Sequence, residues 1–315
     1  MNIITFNQIK ALGISPSECY SMVENMIAIK SEAILPAKIH MAPSEDVFCN
    51  VMPCIIPSIS MGGIKTVTRY PARIPSLDSQ ILLFDSTTGD IVCLMDGNWI
   101  TAMRTGAVAA HSIATLAKKD FKTIGMLGLG NTARATLLVL AEKYPDRELT
   151  VKLLKYKSQE DLFLERFSKH NNINFCKVND NVTLVKGSDV IISCATYLKD
   201  DICQDDVYDE GVLIVPVHTR GFMNCDLFFD KVFADDRSHV CGFKFFERYK
   251  YFAEMTDVVN GFAEGRSNDK ERILAYNIGI AIHDIYFAAK VYKMVSDRRM
   301  AQDIDMNAPT EKFWL

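Results

Sequence analysis

Residues 123–134 read Thr-Ile-Gly-Met-Leu-Gly-Leu-Gly-Asn-Thr-Ala-Arg, a short apolar run that passes directly into a G-x-G-x-x-A turn. The run predicts a buried strand over Thr123–Leu127, and the turn opens a helix at Thr132. Each glycine has a mechanical task. Gly128 permits the tight reversal from strand to helix, and Gly130 lets the main chain approach a pyrophosphate resting on the helix N-terminus, with Asn131 and Thr132 beside it. Ala133 in the third place keeps the helix close to the strand. A second apolar strand, Leu149–Leu154, follows the helix, so the turn sits in the βαβ unit that dinucleotide binding requires. An ordinary strand-to-helix turn of an α/β domain is the other reading of the same residues.

Outward from this turn the alternation continues through Ser158–Lys169, Phe175–Val178, Asn181–Val185, Val190–Cys194 and Val212–Val217. Strand and helix in turn predict a parallel, doubly wound sheet. Upstream, from Ala37 to Val92, the texture differs. Short β-type runs (Phe48–Met52, Gly63–Thr68, Gln80–Phe84, Ile91–Leu94) are separated by Pro, Gly and Ser/Thr-Gly turns, and Ser86–Asp90 reads as a hairpin. That section predicts an antiparallel or mixed sheet. Ser15-Pro16 starts a helix whose face carries Val23, Met26, Ile27 and Ile34, and Ile100–Lys118 is an alanine-rich helix. Asp269–Tyr292 reads as one long apolar helix. The fold class is therefore α/β: a Rossmann-type doubly wound parallel sheet over 119–274, with a smaller α+β substrate-binding domain built from 1–118 and 275–315. The site is expected where the two meet, at the carboxyl ends of the parallel strands.

The 315 residues allow two domains, and 49% hydrophobic with 23% charged residues is ordinary for a soluble globular chain. A net charge of −4 supplies no basic field for nucleic acid or an anionic membrane surface. No run of about 18 apolar residues and no leader pattern is evident. The nine cysteines form no C-x-x-C pair and the six histidines no H-x-x-x-H, so reduced thiols, a cytoplasmic location and no metal site are expected.

Nucleotide choice is read at the end of the second strand, where an acid would bind a ribose 2′-hydroxyl. Here the strand runs out as Leu154-Lys155-Tyr156-Lys157-Ser158. Lys155 and Lys157 attract a 2′-phosphate that an acid would repel, which favours NADP(H), with NAD(H) the alternative. Two further cations stand out. Lys65 follows two glycines in Gly62-Gly63-Ile64-Lys65-Thr66; if Ile64 and Thr66 face one side, it faces the other, toward a cleft or solvent. Arg104 lies among alanines in Thr101-Ala102-Met103-Arg104-Thr105-Gly106-Ala107 and needs an anion, a carbonyl or an internal salt bridge if buried.

Several of these stretches together carry a resemblance. Met52-Pro53, Gly63-Ile64-Lys65, Leu83-Phe84-Asp85, Thr101 to Ala107, the G-L-G-N-T-A turn, Glu254 to Gly261 and Asn277 to Ile285 occur in an order that resembles the ornithine cyclodeaminase/μ-crystallin family over nearly the whole chain. The resemblance implies a homodimer whose N-terminal sheet domain binds substrate and forms the dimer interface. It also implies a nicotinamide cofactor, and hydride movement between nicotinamide C4 and the α-carbon of an amino or imino acid. By position, Lys65 and Arg104 match the pair that grips the substrate α-carboxylate, and Lys65 can also polarise or protonate the reacting group. Lys38 stands where a third cation, normally arginine, is found; lysine gives up the bidentate fork. Thr105, Ala195 and Thr196 join the turn as expected cofactor contacts.

Two departures bear on the substrate. Members that cyclise ornithine carry an aspartate after the strand matching Leu213–Val217, whereas this chain reads Pro216-Val217-His218-Thr219-Arg220-Gly221. Arg220 near that place repels a diamine and suits a second anionic group, while His218 is either a proton donor or a structural histidine. Asn50 stands two positions before Met52-Pro53, where an acid is frequent. Three functions remain open: an NADP(H)-dependent amino-acid dehydrogenase or imine reductase, a cyclodeaminase-type lyase with no net redox change, and a small-molecule-binding protein that keeps the cofactor without turnover.

Overall fold

The computed structural model describes residues 1–195, 198, 200–217, 226–306 and 311–313. Its first half contains β1 (Asn2–Ile4), α1 (Phe6–Ala11), α2 (Pro16–Ala28), β2 (Ile39–Ser44), β3 (Val47–Ile56), β4 (Met61–Arg69), β5 (Leu77–Asp85), β6 (Ile91–Asp96) and α3 (Asn98–Leu116). There follow β7 (Thr123–Leu127), α4 (Asn131–Lys143), β8 (Leu149–Leu154), α5 (Gln159–Arg166), β9 (Ile173–Val178), α6 (Asn181–Val185), β10 (Val190–Ser193) and β11 (Leu213–Pro216). The chain closes with β12 (Lys231–Ala234), β13 (Phe252–Glu254), α7 (Met255–Val259), β14 (Ile273–Tyr276), α8 (Ala281–Asp297) and β15 (Gln302–Asp303). It divides into two compact units: Met1–Ile14, Glu32–Thr101 and Asp284–Leu315 form one, Ser15–Ser31 and Ala102–His283 the other. Contacts thus group α2 and the body of α3 with the parallel sheet, where the sequence reading placed them in the smaller domain.

The larger unit holds eight strands in the order β13-β12-β14-β11-β10-β7-β8-β9, every neighbouring pair parallel. The winding starts at β7, runs out through β8 and β9 on one side and β10 onward on the other, and is doubly wound. Its central strands are continuous apolar runs buried along their length, as strands covered on both faces must be. One of them corrects the sequence reading. Ile273–Tyr276 is not the start of a long helix but β14, paired with β11 and β12 and wholly buried. Four buried residues carry no period that separates strand from helix. The break comes at Gly279, with φ +83°, and the helix begins only at Ala281. A second correction concerns α2. Ser15 caps it in a capping box with Glu18, and Pro16 stands in its first turn, as expected. It stops at Ala28, however, and Ile34 is 56% exposed in an isolated bridge to Ile55. Lys30 is held by Asp236 at 2.9 Å and Glu254 at 2.5 Å, so the chain turns away there.

In the smaller unit seven strands form a mixed sheet, β15-β1-β6-β5-β4-β3-β2, in which β1 runs parallel to β6 and the other pairs are antiparallel. Cross-strand register fixes its two faces. Met52, Lys65, Ile81 and Met95 lie opposite one another in one row and are all buried. The next row, Pro53, Ile64, Leu82 and Leu94, points the other way; Ile64 and Leu94 are each 38% exposed. Helix α8 approaches the buried face so closely that a Cβ on Gly63 would lie 2.7 Å from the Ile285 side chain. The expected hairpin at Ser86–Asp90 is present, with the Asp85 carboxylate accepting from the Thr87 and Thr88 amides. All described cysteines are free thiols.

Candidate active site

The turn after β7 is built from two glycines that do opposite things. Gly128 has φ +76°, and a Cβ there would lie 2.2 Å from the Ala195 nitrogen and 2.4 Å from the Cys194 carbonyl carbon. Both conformation and contact exclude a side chain. This contact brings Ala195, at the carboxyl end of β10, against the turn, at the point where the strand order reverses. Gly130 has φ −80° and nothing within 4 Å of the place its Cβ would occupy. It is the N-cap of α4 and offers no side chain to the first-turn amides. An anion is the natural partner of such amides, and a side chain at Gly130 would stand in its way. Asn131 is exposed, Thr132 half-buried and Ala133 fully buried against the sheet.

Gly106, which the sequence reading gave no task, fixes the neighbouring helix. A Cβ on it would lie 2.5 Å from the Ala135 Cβ, so α3 runs directly against α4 one turn beyond the glycines. Thr105 immediately precedes that contact and Arg104 stands one residue further back, 5% exposed. Arg104 lies over Gly279: a Cβ on that glycine would be 3.0 Å from its Nη1. The main chain there is tied down on several sides. The Gly279 amide donates to Asp235 Oδ2 at 2.6 Å, the Asn277 amide donates to the Pro216 carbonyl, and Ser112 Oγ donates to Asn277 Oδ1. Arg104 is thereby placed at the carboxyl ends of β11, β12 and β14, the same edge of the sheet as the glycine turn.

The end of β8 is exposed from Lys155 to Ser158, and Lys157 (φ 50°) and Ser158 (φ 56°) are both left-handed. Glu160, absent from the sequence reading, is buried and accepts the Tyr156 amide at 3.2 Å. Its carboxylate is turned inward while both lysines face out.

In the smaller unit Lys65 is 1% exposed, neither in solvent nor at a surface, and its Nζ donates to Asp284 Oδ1 at 2.8 Å. Asp284 is fully buried in the first turn of α8, where the helix dipole favours an anion. The Cys54 thiol, on the same sheet face, is pushed up to about 12 by burial and by the Asp284 charge, and stays protonated. Sequence reasoning quoted Asp284 within the stretch from Asn277 but gave it no role. The available signal was a carboxylate directly before the apolar run Ile285–Ala289. Lys38 is half-buried on the approach to β2, and Asn50 on β3 faces His40, their Oδ1 and Nδ1 atoms 2.6 Å apart. Thr196, His218 and Arg220 lie outside the described residues. Among the described residues no cluster of three His, Cys, Asp or Glu side chains is suited to a metal ion, and no helix is long and apolar enough to cross a membrane.

The chain is similar to N-((2S)-2-amino-2-carboxyethyl)-L-glutamate dehydrogenase of Staphylococcus aureus, 26% identical over 72% of this chain and 70% of that protein. Among solved structures it is similar to Delta(1)-pyrroline-2-carboxylate reductase of Thermococcus litoralis in complex with NADH and L-proline. That comparison gives a TM-score of 0.84 at 23% identity, covering 96% of this chain and 100% of that one. An archaeal alanine dehydrogenase dimer with bound NAD gives 0.84 at 20% identity, covering 98% and 99%. The model of the ornithine cyclodeaminase/mu-crystallin family matches residues 7–299. With a doubly wound sheet and its glycine turn, and with the family model matching nearly the whole chain, the chain belongs to the ornithine cyclodeaminase/mu-crystallin family.

Proposed function

We propose that this protein is an NAD(P)-dependent oxidoreductase that moves a hydride between nicotinamide C4 and the α-carbon of an amino or imino acid. The observation that carries the reading is Lys65, an ammonium buried in the smaller unit and fixed by a carboxylate. A lysine so placed is made for an acid, and buried lysines serve chemistry more readily than stability. Lys65 and Arg104 hold the α-carboxylate, with Lys38 as a third cation. In reduction Lys65 gives the imine nitrogen its proton and regains one from solvent. His218 is a second candidate for proton transfer, and Arg220 for a further anionic group on the substrate.

When bound, the nicotinamide supplies or takes up the hydride. Gly128, Gly130, Asn131, Thr132 and Ala133 would hold the pyrophosphate at the start of α4, and Thr105, Ala195 and Thr196 are further proposed cofactor contacts. Lys155 and Lys157 face outward while Glu160 is engaged inward, which supports NADP(H) over NAD(H). The outward-facing row Pro53, Ile64, Leu82 and Leu94, half-buried to exposed, suits a homodimer contact, and the free thiols suit a cytoplasmic location.

The test is absorbance at 340 nm with Δ1-pyrroline-2-carboxylate and an imino diacid, each with NADPH and NADH. Consumption of NADPH in stoichiometric step with amino-acid formation is expected. Ammonia release from ornithine without net absorbance change would establish the lyase instead. Lys155→Asp should swing the NADPH/NADH preference about tenfold toward NADH, roughly 1.4 kcal/mol for the reversal of one exposed charge. A stronger thermal shift from NADH than from NADPH in the unaltered protein would contradict the lysine argument.

A further inference from the structure

We infer that Asp284 is a positioning residue for Lys65: it keeps the Lys65 ammonium charged and aimed, and through it sets the reaction's dependence on pH. The inference rests on the reading of Lys65 given above.

Three observations lead to it. The contact is a buried charge pair, 2.8 Å long, with side chains 1% and 0% exposed. Such a pair contributes little stability, because apolar residues of similar volume serve about as well, whereas losing one partner strands the other charge. Its geometry is also held from outside. Gly63, two residues before Lys65 on the same sheet face, lets α8 come so near that a Cβ would clash with Leu82 O at 2.6 Å and Ile285 Cδ1 at 2.7 Å. Ile285 adjoins Asp284, so strand and helix are locked at the separation the pair needs. Finally, among the described residues, the sheet face beside Lys65 carries no carboxylate of its own. Met52, Ile81 and Leu83 are apolar, Ser79 is neutral, and the Cys54 thiol is held protonated by burial. Desolvation alone drives a lysine toward the neutral form, and an adjacent carboxylate opposes this.

A neutral Lys65 would neither attract a carboxylate nor give up a proton. Lys65 is the group that touches substrate; Asp284 acts through it.

The direct readout is the titration of Lys65 itself, followed by the 13Cε–Hε resonance in 13C-lysine-labelled protein, with Lys65→Met identifying the signal. Asp284→Asn should lower the pH at which Lys65 loses its proton by at least one unit relative to the unaltered protein. The high-pH limb of kcat/KM for imine reduction should move down by the same amount, with the NADPH dissociation constant changed less than twofold. An unmoved Lys65 titration overturns the inference. Should Asp284→Asn fail to fold, Asp284→Glu carries the test. The charge is retained but displaced by one methylene, so kcat/KM should fall about tenfold while the pH limb stays in place; unaltered kcat/KM would overturn it. If Lys65→Met reduces the imine at the original rate, the functional reading fails, and the titration result still decides the role of Asp284.

Discussion

The turn at Gly128–Ala133 and the pair Lys65–Asp284 are both proposed to serve an anion, and they are made in opposite ways. The turn works through the main chain: amides at a helix start, with glycine ensuring that nothing covers them. It has no titratable group and is assembled from six consecutive residues. The pair works through two side chains 219 residues apart, one on a strand and one on a helix, buried where water cannot stabilise either charge. The first suits a ligand held in every state of a reaction. The second suits a group whose charge and proton take part.

This contrast gives effects of different size. The largest belongs to the side-chain cations. Arg104→Met should reduce kcat/KM for imine reduction about a thousandfold, with NADPH affinity nearly unaltered, because the proposed charge-assisted carboxylate contact would be lost and the turn would not. Parallel losses of NADPH affinity would show that the two regions are not separable. Next is Gly128→Ala, which faces both a left-handed φ and a 2.2 Å contact with Ala195. Stability should fall by about 3 kcal/mol, read by urea unfolding, and NADPH affinity should fall with it. Gly130→Val sharpens the comparison, since its Cβ meets nothing. It should weaken NADPH at least tenfold by calorimetry while the midpoint of apo unfolding stays in place; a lowered midpoint would mean that the open space is filled in solution.

A further effect is a background one in the larger unit, independent of any ligand. His111 is buried on α3, its Nδ1 has no hydrogen-bond partner, and burial, then Lys143, lowers its pKa from 6.5 to about 4. Between those values the unfolded chain binds a proton that the folded chain does not. Its contribution is therefore intact above pH 6.5 and lost as pH falls toward 4, the loss reaching about 2 kcal/mol at pH 5. His111→Phe should remove that part of the acid slope. An unchanged slope would mean that His111 ionises in the fold.

The same contrast explains what the sequence disclosed. A main-chain site is contiguous, so spacing revealed it: β7, the two glycines and β8 stand where the pattern put them. Arg104 is visible as an odd charge among alanines, whereas Lys65 alone reads equally as a cleft or a surface lysine and stands out through the family resemblance. Asp284 is not visible, because a partner on a distant helix leaves no mark in local periodicity. Glu160 escaped for a related reason: its carboxylate reaches back to Tyr156 across left-handed residues that nothing in Lys157-Ser158 announces. The capping box of Thr5 and Gln8 on α1 is legible in the sequence as a Thr followed three residues later by a Gln. Strand β14 was hidden by full burial, which erases the alternation that marks a strand.

The central claim is that the glycine turn holds the nucleotide while Lys65 handles the acid. Its most direct test is a single-turnover measurement at 340 nm on Lys65→Met loaded with NADPH and mixed with Δ1-pyrroline-2-carboxylate, or with whichever imino acid the unaltered protein reduces fastest. The expected result is full NADPH binding with hydride transfer slowed at least a thousandfold. Transfer at the rate of the unaltered protein would contradict the account.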